Sequence, residues 1–186
     1  ELQSGSWSRH PRIAFCCKPM VVVCCPPMST DWPVLVGAGP LAERTMHQAC
    51  ALLARGCGVA VSSHPVGADP QTVLMEGATT EGLLRLCGDA ARLHPSGGNW
   101  LEALADWRRP ILLLVTGDPD GGVPGTAAAY TALCRQLGVQ LLGLVQLQGT
   151  WDQESRRRDG LPWCGWLPAS ESEEHSDCLL YTSDAA

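Results

Sequence analysis

Lysine is almost missing from this chain: of 186 residues only Lys18 is one, and every other basic residue is arginine. From Met28 to Pro168 there is none, which removes a Schiff-base lysine, a lysine general base and the lysine of a phosphate loop from that stretch. Basic surface is scarce too. The formal net charge is −6, and ten arginines face thirteen carboxylates between Met28 and Pro168, which argues against a nucleic-acid binder working through a basic face. No apolar run approaches the ~20 residues of a membrane-spanning helix. The ten cysteines include no Cys-x-x-Cys and no Cys/His pairs at ligand spacing, so zinc has no anchor. Those inside the domain read as small buried thiols of a reducing cytoplasm, the expected location. No G-x-S-x-G elbow exists for a Ser-His-Asp hydrolase.

What is present is an α/β rhythm. Short apolar runs at Val34–Val36, Gly58–Val61, Thr72–Met75, Ile111–Val115 and Leu141–Leu147 read as strands. They alternate with helical patterns over Leu41–Arg55, Glu81–Leu93, Trp100–Trp107 and Thr126–Leu137. Leu161–Pro168 reads as a short edge strand. Strands apolar on both faces, alternating with helices, predict a three-layer α/β fold with a mainly parallel sheet. The domain is expected over 28–168. Residues 1–27 alternate Pro, Cys and Ser without period and read as a leader outside it. Residues 169–186 read as an acidic tail, and Cys178–Ala186 resembles the translation of a transposase adapter used in sequencing libraries.

The pivot is Gly37-Ala-Gly-Pro-Leu-Ala-Glu-Arg-Thr45, a glycine-containing turn between the first strand and the first helix. Such a turn sets a helix N-terminus, with its free N–H groups and positive dipole end, against a phosphate. Gly37 and Thr45 fit a phosphate loop, but Glu43 stands where the pattern has glycine and Arg44 where it has lysine. Pro40 removes one more N–H. A carboxylate ~5 Å from phosphate, at an effective dielectric of ~20, costs about 3 kcal/mol per unit charge. Gly37-Ala-Gly39-Pro-Leu-Ala42 also matches the dinucleotide pattern G-x-G-x-x-A, although Ser62, Ser63 and His64 offer no acid for a ribose. Glu43 and His47 are spaced as a helix-surface pair. Arg156-Arg-Arg158 reads as a solvated charge run, and Trp151, Trp163 and Trp166 as a packed C-terminal cap.

In order along the chain, Gly37–Thr45, Cys50-Ala-Leu-Leu53, Ser63-His-Pro-Val66, Val73-Leu-Met-Glu-Gly-Ala78, Arg109-Pro-Ile-Leu-Leu-Leu-Val115 and Leu141-Leu-Gly-Leu-Val145 resemble the motifs of the dethiobiotin synthetase family. The resemblance covers roughly 34–168. It implies a phosphate-loop NTPase-like fold, ATP with magnesium, and ATP-dependent carboxylation and ring closure of a diamine. It places nucleotide on Gly37, Gly39, Arg44 and Thr45, and magnesium on Thr45 and Glu76. The chain departs from the family at Glu43, Arg44 and His64, and nearly lacks the long segment that follows the family's second strand. A diverged, shortened relative is therefore expected, binding a nucleotide or phosphate ligand without the ligase reaction. The alternatives are an NAD(P)-binding module and a non-catalytic interaction protein. Neither membrane nor nucleic acid is an expected partner, and a homodimer is among the assemblies this reading allows.

Overall fold

The computed structural model describes residues 32–77 and 81–168. The expected leader, the whole of the expected tail and the residues 28–31 lie outside them. Six strands form one sheet: β1 (Val34–Gly37), β2 (Val61–Pro65), β3 (Leu83–Cys87), β4 (Ile111–Thr116), β5 (Leu141–Leu147) and β6 (Trp163–Leu167). Five helices alternate with them: α1 (Glu43–Cys57), α2 (Pro70–Gly77), α3 (Trp100–Asp106), α4 (Thr126–Leu137) and α5 (Gln153–Arg158). The strand order is β2-β3-β1-β4-β5-β6, and every recorded pairing is parallel.

This order explains the layers. Crossovers between parallel strands are almost always right-handed, so connections running in opposite directions along a sheet lie on opposite faces. Only the connection through α1 runs from β1 toward β2; the others run the other way. The two cores agree. Met46, Ala49, Cys50 and Leu53 of α1 pack with Leu35, Leu83, Leu112 and Leu114 on one face. Leu74, Trp100, Leu104 and Cys134 of α2, α3 and α4 pack with Val34, Val36, Leu84 and Leu113 on the other. Among the described residues no helix is long and apolar enough to cross a membrane.

Three elements differ from the sequence reading. The stretch 72–75, expected as a strand, belongs to helix α2. Asp69 starts it: its Oδ2 accepts from the Thr72 N–H at 2.9 Å and from Thr72 Oγ1 at 2.8 Å, and Pro70 takes the first helical position. The stretch 81–93, expected as a helix, contains strand β3, which is clamped between β2 and β1. The second strand is also later than expected, at Val61–Pro65. Helix α4, strand β5 and the edge strand β6 stand where the pattern puts them.

Strands β4 and β5 slip register between Ile111 and Leu112, and Gly143 sits opposite Leu112. A Cβ on Gly143 would lie 2.2 Å from Cys164 Sγ and 2.6 Å from the Pro162 carbonyl oxygen. Substitution there forces β6 away from β5. Gly143→Ala is expected to destabilise the chain by about 2 kcal/mol, the scale of overpacking a tight core. Comparing urea midpoints of the variant and parent checks it.

Candidate functional site

All parallel strands end on one edge of the sheet, and ligands of such folds bind where connections from neighbouring strands diverge to opposite faces. Here that happens on both sides of β1. Its own chain leaves to α1, whereas β3 and β4 lead to α3 and α4 on the other face. The β1–α1 loop lies in this fork.

The loop is tightly folded. The Ala38 N–H donates to the Leu114 carbonyl and the Gly39 N–H to the Gly37 carbonyl, both at 2.9 Å. Gly39 has φ +97°, and a Cβ on Gly37 would meet the Gly39 carbonyl oxygen at 2.8 Å, so both positions require glycine. Two loop N–H groups are thus spent internally, and Pro40 has none. What remains is the start of α1, a helix of 15 residues whose N-cap Ala42 provides no side-chain hydrogen bond. Its first turn holds exposed Glu43 and Arg44 and half-buried Thr45.

Beneath this turn lies the residue that sequence reasoning missed. Arg85, in the middle of β3, is 4% exposed and stands opposite Leu35, facing α1. Its Nη2 donates to the Glu43 carboxylate and, at 3.1 Å, to Cys87 Sγ. Burial pulls the guanidinium pKa down, but the hydrogen bonds to Cys87 and Glu43 leave it raised, so the group is charged. Its Nε and Nη1 are buried with no hydrogen-bond partner among the described residues. Glu43 is therefore committed to Arg85 and not to His47, the helix-surface partner expected from spacing. An arginine inside a leucine run gave no sign of this, because that run reads as an amphipathic helix.

Asp89 was missed for the same reason. It follows β3 beside β1, and its Oδ1 accepts from the Tyr130 hydroxyl of α4 and from the Ala91 N–H at 2.9 Å. Burial, then the bond to Asp89, push the Tyr130 phenol up, so it stays a donor at neutral pH. This pair ties α4 to the loop after β3.

The structure puts Gly37, Gly39, Arg44 and Thr45 in one stretch at the end of the central strand β1 and the start of α1. It does not bring Glu76 to them. Helix α2 runs back from the end of β2 to the start of β3, so Glu76, near its C-terminus, lies toward the opposite edge of the sheet and on the opposite face from α1. The reason is the helix at 70–77, where a strand ending in Glu76 was expected. A magnesium ion shared by Thr45 and Glu76 does not fit this arrangement. Among the described residues no cluster of three His, Cys, Asp or Glu side chains could hold a metal ion. His64 is on edge strand β2, two positions from β1. The dinucleotide alternative needs β2 beside β1, and β3 lies between them.

Other polar side chains are structural. Asp120 accepts from the Gly122 N–H at 3.0 Å, and His94 meets Ser96 Oγ within its own turn at 2.5 Å and the Gly67 carbonyl of the turn after β2 at 3.2 Å. Arg156, expected in a solvated run, is buried. Its Nε donates to Gln146 Oε1 at 3.0 Å, and its guanidinium stacks 5.2 Å from the Trp163 ring. Trp151 meets Trp163 edge-on at 6.1 Å, giving the packed cap its spacing suggested. A shallow surface dent lies beside α1, lined by Thr45, Gln48, Leu52 and Gln148 among others. No protein-family model matches this chain, and no curated protein matches it.

The thiols provide a pH-dependent check. Burial pushes Cys50 up to about 12, partly countered by Arg85, and burial pushes Cys134 up to about 11. An unfolded thiol ionises near ~8.5, so their burial stabilises the fold fully below that pH and loses its contribution as pH rises toward the folded values. Iodoacetamide at pH 8 is expected to leave Cys50 and Cys134 unmodified until denaturant is added, as mass spectrometry of digests would read.

Proposed function

We propose that this chain is a phosphate-binding α/β protein, a shortened relative of the dethiobiotin synthetase type that does not run the ligase reaction. One observation carries the reading. The N-terminus of α1 opens in the fork beside β1 without a side-chain cap, and a buried guanidinium stands directly beneath its first turn. A helix N-terminus so placed favours an anion through its free N–H groups and its dipole. Arg44, exposed in the same turn, adds a second cation that suits phosphate geometry. The ligand class is a nucleotide or smaller phosphate compound such as ATP, ADP or pyrophosphate, bound by backbone and arginine rather than by lysine.

The ligase reaction is a different matter. His64 sits on an edge strand away from the fork, and Glu76 lies toward the other edge of the sheet. Glu76, one of the two residues that the resemblance assigns to magnesium, and His64, where the chain departs from the family, are thus apart from the loop assigned to phosphate. Displacement of reacting groups by even ~1 Å can cost ~10²-fold in rate.

Thermal denaturation of the full chain with ATP, ADP or pyrophosphate tests the proposal. A ligand at ~10 times its Kd stabilises by about 1.4 kcal/mol, a rise of a few degrees in midpoint. Arg44→Ala is expected to reduce that rise. No shift with any of the three would leave the fold as a scaffold and overturn the reading. Supplied with diaminopelargonate, bicarbonate, ATP and magnesium, the chain is expected to form no dethiobiotin above background.

A further inference from the structure

We propose that Arg85 is the anion-binding cation of this site, that Glu43 is a built-in carboxylate occupying it in the absence of ligand, and that the displacing ligand is a terminal phosphate rather than a phosphodiester. The inference rests on the phosphate-binding reading above and specifies its ligand class and control.

The argument begins with an imbalance. Arg85 is 4% exposed, and two of its nitrogens have no partner among the described residues. A buried guanidinium in that state has unused hydrogen-bonding capacity, and its Nη2 reaches Glu43 in the first turn of α1. The carboxylate that meets it belongs to a side chain 65% exposed. Glu43 therefore reaches inward from solvent to a cation that the strand fixes in place. The two partners are unequal: Arg85 cannot leave its position in β3, whereas Glu43 can turn into water once an incoming anion takes its place on the guanidinium.

Geometry identifies what Glu43 stands for. An anion seated at the start of α1 would gain the helix dipole, the uncapped N–H groups and the Arg85 fork together. The Glu43 carboxylate meets Nη2 alone, with one negative charge. A terminal phosphate carries close to two near neutral pH, because its second pKa is ~6. It can outcompete a single carboxylate, whereas each phosphate of a diester carries only one charge and gains no such margin. Cys50 and Cys87 are the other ionisable side chains against Arg85, and Arg44 is the adjacent cation on α1. None of these supplies a second fixed anion, so among the described residues displacement of Glu43 leaves no other carboxylate on Arg85.

Calorimetric titration of the full chain with inorganic pyrophosphate tests this, with NAD as the diester comparator. Glu43→Gln keeps the size and a hydrogen-bond acceptor for Arg85 but removes the competing charge. It is expected to tighten pyrophosphate binding tenfold or more and to leave NAD binding weak. Arg85→Met is expected to abolish binding in a chain shown folded by circular dichroism. Pyrophosphate affinity unchanged or weakened in Glu43→Gln overturns the inference, and that arm decides alone if Arg85→Met does not fold. A folded Arg85→Met that binds like the parent also overturns it, while leaving phosphate binding at α1 intact. Absence of binding by parent and Glu43→Gln alike overturns both proposals.

Discussion

A parallel strand cannot return through a tight turn, so each one requires a crossover that covers a face of the sheet. That constraint organises this molecule. It makes the strands apolar on both sides, as in β4, where Ile111 to Val115 are all at most 2% exposed. It also sends every chain out of the sheet at the same edge. With β1 placed between β3 and β4, and α1 alone on its face, that edge must contain a fork at the β1–α1 loop. The candidate site follows from strand order before any side chain is considered.

Side chains then determine what the fork can do. Between Met28 and Pro168 there is no lysine to bring to it, and the obvious anion repellent, Glu43, stands in the first turn. Seen as sequence, that combination argues against phosphate. Seen in the fold, Glu43 is neutralised by Arg85 from below, and the charge it introduces is matched by one that the leucine strand carries. The pair is an asymmetric one, buried in a central strand on one side and exposed at a helix start on the other. Buried charges are costly to leave unpaired, which explains why the pair exists. Its exposure on the Glu43 side is what makes exchange with a ligand feasible.

Much of the fold was legible from apolar periodicity. Thr126–Leu137 and Leu141–Leu147 have the lengths, glycine stop and patterning of a helix and a strand, and both stand as read. The misreadings cluster between 58 and 93, with physical causes. Val73-Leu-Met resembles a short strand, but Asp69 and Pro70 form a helix start that outweighs three apolar residues. Leu83-Leu-Arg-Leu has the residues of a helix, and only its position between two other strands makes it one. The site was legible in part for that reason. The β1–α1 loop has a local glycine signature, whereas Arg85 and Asp89 enter through the pairing of β3 with β1, some fifty residues away in sequence, and a single sequence does not show such pairings. Glu76 was misplaced by the same substitution of helix for strand.

The central claim is that phosphate binds where α1 begins, over Arg85. Amide and guanidinium resonances, followed by ¹⁵N correlation NMR while pyrophosphate is added, test it most directly. The account predicts saturable shifts concentrated at the amides of 41–45 and at the Arg85 side-chain N–H groups, with His64 and Glu76 unmoved. Shifts that leave Arg85 and the start of α1 untouched while another surface responds, or no saturable shift at all, would contradict it.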